Sequence, residues 1–251
     1  MKNSYFGDVY DYLKYALIRR LTGSETPGVV CWMLTEDDRR TDGRHTEYLL
    51  QPEIWSSIEP ELFGFLRHQV LERRNRNVRA IETSNLLPSC RFYSRILTDE
   101  RIQRLRYFNR FLEFADEASF VFFDPDNGVE VKSVKCGFKN SSKYLYWNEI
   151  ELSLRANHSL LIYQHLPPKP RRPLVRRVAT KLVRISRGRV VYTIRTGKVA
   201  FFLVPRRGSV SEFRRRAAAI ERDLGDLLTV SEHSLKGSSG QVICSENLAH
   251  V

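Results

Sequence analysis

Cysteine is scarce in this chain and scattered: Cys31, Cys90, Cys136 and Cys244, with no C-x-x-C pair among them. That spacing excludes the usual structural zinc sites and a disulfide framework, and leads one to expect ordinary thiols in a reducing, cytoplasmic compartment. Long apolar runs are missing as well. None approaches the roughly 18 residues that would span a bilayer, so no membrane attachment is expected. The segment MKNSYFGDVYDYLKY lacks the apolar core of a secretory signal. Acidic residues are nearly missing from one stretch. From Lys169 to Arg216 there are sixteen Lys or Arg and a single acid, Glu212.

What is present suits one good-sized domain: 251 residues, 42% hydrophobic and 11% aromatic, enough for a real core. The net charge of +12 is concentrated in segment 169–216. A clustered basic surface attracts phosphate backbones through counterion release, so RNA or DNA is the expected partner.

Hydrophobic periodicity predicts a helix over Asp8–Leu21, with acids at its start and Arg19, Arg20 and Gly23 at its end. GVVCWML (Gly28–Leu34) reads as a buried strand, followed by the polar loop TEDDRRTDGRHTEYL. Helices are expected over Glu59–Arg74, with Pro60 in the first turn, over Asp99–Asp116, with Ile102, Leu105, Phe108, Leu112 and Ala115 in step, and over Ser142–Arg155. VRAIE (Val78–Glu82) reads as a strand ending in an acid, and the end of SNLLPSCRFYSRIL as a further candidate. FVFFD and SLLIYQH (Ser159–His165) read as buried strands. A helix follows the Pro-rich PPKPRRP and ends near Ile185. VVYTIRT and VAFFLVP, separated by Gly197 and Lys198, read as an antiparallel hairpin. A helix over Ser211–Leu224 completes the domain, 1–232. The tail, 233–251, is expected to be loosely ordered. The fold class is therefore α/β: an open, mostly parallel sheet with helices on both faces and its last two strands forming an antiparallel hairpin. Ligands of such a sheet bind beyond the carboxyl ends of its strands. Thr35 to Asp42, Glu82, Asp124 to Asn127, and Gln164 with His165 fall there.

Four readings are open for FVFFDPDNGVEVK, residues Phe120 to Lys132. Pro-Asp-Asn-Gly is good turn chemistry, which would pair FVFFD with VEVKSV as a hairpin. Pro125-Asp126 with Glu130-Val131-Lys132 has the elements of a P-D…E-x-K nuclease set, at short spacing. Asp124 and Asp126 form a D-x-D pair, as in a phosphatase. Asp124-Pro125-Asp126-Asn127 also sits where an amino-methyltransferase carries its catalytic loop. There an Asp and a backbone carbonyl accept the hydrogens of a base amine and aim its lone pair at a methyl sulfonium.

The order of elements resembles the class I S-adenosylmethionine-dependent methyltransferase fold, a Rossmann-like topology whose seven-stranded sheet ends in a hairpin. FGDVYDYLKYA (Phe6–Ala16), with Glu47-Tyr48-Leu49 further on, is distantly similar to the bacterial large-subunit rRNA adenine-N6 methyltransferases. The whole chain also resembles an uncharacterised bacterial protein family with an F-F-D-P-D-N-G motif. The methyltransferase resemblance implies that Lys14 and Tyr15 approach the cofactor, that Glu82 holds its ribose, and that Thr35 and the loop with Asp37, Asp38 and Asp42 complete its site. Three positions depart from the pattern. The loop CWMLTEDDRRTDG has one glycine, Gly43; Asp126 replaces the second proline of the catalytic motif, and Asn127 its stacking aromatic.

The expected function is methyl transfer from S-adenosylmethionine to a base amine in RNA or DNA. Asp124 would orient the amine, Asp126 or Asn127 would contact the substrate, and His165 would take a proton. His45 is either a base or an exposed loop residue, and no metal is expected on this reading. Two alternatives stand beside it. One is a Mg-dependent nuclease or phosphoesterase using Asp37, Asp38, Asp124 and Asp126. The other is a non-catalytic nucleic-acid-binding protein on a decayed methyltransferase fold.

Overall fold

In the computed structural model, which describes residues 1–36, 43, 45–168, 170–236 and 240–246, the first element follows directly from its caps. Helix α1, Val9–Thr22, starts where the Asp8 carboxylate accepts from the Tyr10 N–H, and stops at Gly23, whose φ is 58°. Strand β1, Gly28–Cys31, comes next and is buried throughout. Short helices α2 (Pro52–Trp55), α3 (Pro60–Arg67) and α4 (Arg79–Glu82) lead to β2, Cys90–Tyr93. Helix α5, Arg101–Phe114, leads to β3, Phe120–Phe123. A two-residue pair, β4 (Gly128–Val129) with β5 (Tyr144–Leu145), precedes α6, Trp147–Arg155, and β6, Ser159–His165. Then come α7 (Arg171–Ile185), β7 (Val191–Arg195), β8 (Val199–Val204), α8 (Val210–Leu224), β9 (Thr229–Lys236) and β10 (Gln241–Glu246).

Among the described residues the main sheet has eight strands in the order β10-β9-β7-β8-β6-β3-β1-β2. The four strands β2, β1, β3 and β6 are parallel; β8, β7, β9 and β10 are joined by antiparallel pairings. Both faces are covered, which explains the unbroken apolar run FVFF. Phe120 and Phe122 face a layer with Leu17 of α1 and Phe213 of α8. Val121 and Phe123 face another with Phe111 of α5, Ile150 of α6 and Val178 of α7. No helix among the described residues is long and apolar enough to cross a membrane.

Several elements differ from the sequence reading. VRAIE ends in a helical turn, not a strand: the Asn77 side chain caps it by accepting from the Arg79 N–H at 2.9 Å. The strand that pairs with β1 is Cys90–Tyr93 instead. The tail is partly ordered: β10 pairs along its whole length with β9, so two strands extend the sheet beyond the β7–β8 hairpin. The helix expected from Ser142 begins only at Trp147, because Tyr144 and Leu145 pair with the loop after β3. FVFFD does not form a hairpin with VEVKSV; β3 lies in mid-sheet, parallel to β1 and β6.

The buried face of α5 is also rotated from the expected one. Ile102 and Leu105 are exposed, whereas Arg104 is 1% exposed. Its guanidinium makes two contacts to Glu149, at 2.6 and 2.9 Å, and donates to the carbonyls of Ser141 (3.0 Å) and Tyr144 (2.6 Å). A forked, planar cation with every edge engaged can take a core position that a polarity pattern assigns to solvent.

His233, on β9, is buried with Nε2 3.2 Å from Thr193 Oγ1. Burial first, then the nearby Arg176, pushes its pKa down to about 4, with Glu246 opposing. The unfolded ring takes a proton near its ordinary value while the folded ring does not, so stability falls as pH drops from about 6.5 to 4. His233→Gln is expected to remove on the order of 2 kcal/mol of that acid loss, read as a flatter dependence of urea midpoints on pH.

Candidate functional site

Chain order reverses between β1 and β3: from β1 the chain moves outward to β2, then crosses back to place β3 on the other side. In an open α/β sheet such a switch point opens a crevice beyond the carboxyl ends of the two strands. Here the floor of that crevice is filled by the first residues of the chain. The Met1 nitrogen donates to the carbonyls of Met33 (3.3 Å) and Asp124 (3.2 Å), and Thr35 N–H donates to the Met1 carbonyl at 2.9 Å. Met33 takes a φ of 46°, the left-handed conformation for which a glycine-rich loop would supply glycine.

Behind this plug sits a buried charge cluster. Lys14 Nζ, on α1, lies 2.9 Å from Asp11 Oδ1 and 2.9 Å from Asp124 Oδ2, and 4.4 Å from the centre of the Tyr163 ring. Burial alone pulls the lysine pKa down, but the two carboxylates more than offset it and the ammonium holds its proton. Asp11 and Asp124 are both raised by burial, with Lys14 opposing. Asp124 Oδ1 has no hydrogen-bond partner. Tyr15 is fully buried, its hydroxyl 3.4 Å from Asp11 Oδ2.

In front of the cluster lies a cleft of about 620 Å³, a size suited to a small organic ligand. Its chemistry is set by acids and rings: Asp8, Asp11 and Asp126, with Tyr5, Tyr10 and Tyr163. Asn127, His165, His45 and Lys14 also reach it. Asp8 is tied in place by the N–H groups of Tyr10 (2.8 Å) and His45 (3.2 Å), which also anchors His45 to the start of α1. Asp126 has a side chain only 5% exposed and an Oδ1 without a hydrogen-bond partner; Lys143 stands 3.9 Å away, and the Met1 ammonium acts on it electrostatically. His165 is exposed at the end of β6. Partial burial lowers its pKa, Asp126 opposes and Lys198 adds to the lowering, so the ring is neutral at pH 7.

The loop carrying Asp126 and Asn127 is held by Gln164. Its Oε1 accepts from Val129 N–H at 3.0 Å, and its Nε2 donates to the carbonyls of Asn127 (2.9 Å) and His165 (2.7 Å). Gly128, at φ 114°, lies against that amide; a Cβ there would come within 2.4 Å of it. Glycine is required twice over, by conformation and by contact.

The residues singled out from the sequence therefore divide. Lys14, Asp126, Asn127 and His165 meet at one cleft. Asp124 and Tyr15 stand behind it, engaged with Lys14 and Asp11. Thr35 holds the Met1 backbone. Glu82 reaches the edge of β1 and β2 from a helix, where its carboxylate accepts from Trp32 Nε1 (2.8 Å) and Ser94 Oγ (2.5 Å). Asp37, Asp38 and Asp42 lie outside the described residues. Of the nuclease set, Glu130 caps α6 by accepting from Trp147 N–H at 3.0 Å, and Lys132 is exposed. Among the described residues no three His, Cys, Asp or Glu side chains are placed to share a metal ion.

Sequence reasoning passed over Asp8, Asp11, Tyr10 and Tyr163. The i, i+3 spacing of Asp11 and Lys14 on one helix was a usable signal; nothing in the chain marked Met1 as a partner of Asp124. Compared with known proteins, the chain matches no family model, no curated protein and no solved structure.

Proposed function

We propose that this chain transfers a methyl group from S-adenosylmethionine to a base amine of RNA or DNA in the cleft beside the β1–β3 switch point. The observation that carries the reading is Asp126: a nearly buried carboxylate with a free Oδ1, at the end of a central strand, beside a neutral imidazole. The strand order supports it too, through four parallel strands and an antiparallel strand inserted between β6 and β7, in keeping with a Rossmann-like methyltransferase topology.

The lining fits the cofactor in part. Acids and aromatic faces together favour a cationic sulfonium and an amino group, so Asp8, Asp126 and Tyr10 would hold it. Glu82 does not fit the ribose-binding role, because its carboxylate is engaged by Trp32 and Ser94 away from the cleft. When bound, the cofactor supplies an electrophilic methyl group. The protein's part is positioning and proton removal. Asp126 Oδ1 accepts a hydrogen of the base amine and concentrates its lone pair; the Asn127 side chain contacts the ring edge. His165 would take the proton the amine loses on accepting the methyl group, the sulfonium S–C bond being the one that breaks. Asp124, bound to Lys14, fixes the loop from behind.

Calorimetric titration with S-adenosylmethionine tests this. Micromolar binding is expected, weakened at least tenfold by Asp126→Asn and changed less than twofold by Glu82→Ala. Absence of binding to the folded wild-type protein would remove the reading.

A further inference from the structure

A second recess lies on the α7 face of the sheet, away from the cleft. It holds about 630 Å³ and is roofed by the first two turns of α7 and floored by β7, β9 and β10. Three arginines converge on it. Arg172 and Arg176 are one helical turn apart on α7, and Arg195 ends β7. One carboxylate lines it, Glu246, which stands 4.0 Å from Arg195. No ion pair holds Arg172 or Arg176 among the described residues. The recess therefore has an excess of unpaired guanidinium charge, on side chains whose forked donors match phosphate oxygens.

A second observation comes from the floor. His233 is 3% exposed, lines the recess, and has an Nδ1 with no hydrogen-bond partner. Its Nε2 lies 3.2 Å from Thr193 Oγ1 and 3.8 Å from Cys244 Sγ. When Thr193 donates its hydroxyl hydrogen to Nε2, the ring carries its proton on Nδ1, a buried donor awaiting an acceptor. Ser231, opposite Thr193 in the β7–β9 register, adds a hydroxyl.

We propose that this recess is a phosphate-binding site, taking the phosphate of a nucleic-acid strand or of a free nucleotide on Arg172, Arg176 and His233. The volume admits a nucleotide-sized group. Arg171, at the head of the same helix, acts electrostatically on Tyr10 of the cleft. The proposal shares the nucleic-acid partner with the function proposed above and does not require methyl transfer.

Cys244 lines the recess and is exposed, which gives a local reporter. In Cys136→Ser protein, the alkylation rate of Cys244 by iodoacetamide is measured with inorganic pyrophosphate, with adenosine monophosphate, and with a twelve-nucleotide single-stranded RNA. Saturable slowing of at least fivefold by one of these probes is expected, and its loss in Arg172→Ala/Arg176→Ala. Protection by RNA alone identifies a strand; equal protection by the small phosphates identifies a free nucleotide. No protection by any probe, or protection undiminished in the folded double variant, overturns the proposal. Because the readout ignores the cleft, a failure of S-adenosylmethionine to bind leaves it standing.

Discussion

Replacing Lys14 with methionine is expected to lower stability at pH 7 by about 3–5 kcal/mol, measured by urea unfolding. Methionine fills much of the same volume, so the loss is electrostatic rather than a cavity effect. In the native protein one ammonium serves Asp11 and Asp124, both 1% exposed, each at 2.9 Å. Without it, two buried carboxylates lose the partner they share, and the Met1 ammonium acts on Asp124 in its place only through space. The sign of the pH dependence follows. Both carboxyls already titrate above their ordinary range, and loss of the lysine raises them further. A folded state that binds protons more tightly than the unfolded state gains stability as pH falls. The deficit of the variant should therefore be greatest above pH 7 and shrink toward pH 5. Adding Asp124→Asn to Lys14→Met should recover part of the loss, since one buried charge is gone. A loss under about 1 kcal/mol at pH 7 would mean that the cluster does not hold α1 to β3.

The second large effect is expected at Arg104→Leu, again about 3–5 kcal/mol. The guanidinium is flanked by the rings of Phe108 (5.2 Å) and Tyr146 (4.7 Å) and ties α5 to the start of α6. Its removal strands the Glu149 carboxylate, which is 5% exposed, and frees the carbonyls of Ser141 and Tyr144. Arg104→Leu/Glu149→Leu should cost less than the single change, because no buried charge remains. It will not return to the wild-type value, since Glu149 also accepts from the Tyr146 N–H at 2.8 Å, where α6 begins. A double-mutant cycle reads the coupling directly, and additive losses would refute the pairing argument.

These two clusters also mark where the sequence was legible and where it was not. SLLIYQH was readable to its ends, because six of its seven residues are buried and LLIY leaves an apolar run. Helix α1 was readable from its caps. Arg104 was not, since a charged residue at a core position inverts the expected face of α5. Strand β10 was missed because its residues are largely exposed and so leave no apolar pattern. The cleft was half visible: Asp126, Asn127 and His165 stand at strand ends, where function is expected. The link between Lys14 and Asp124 spans 110 positions, and no local pattern encodes such a distance.

Gln164 has one more consequence. Its amide already holds two backbone groups of the loop that bears Asp126 and Asn127, the Asn127 carbonyl and the Val129 N–H, and Gly128 closes against it. That wall of the cleft is preorganised. A ligand arriving there loses its own freedom on binding but need not freeze the loop as well, so more of its contact energy is left as affinity. Gln164→Ala would return that ordering cost to each binding event, weakening the ligand without deleting a single atom that touches it.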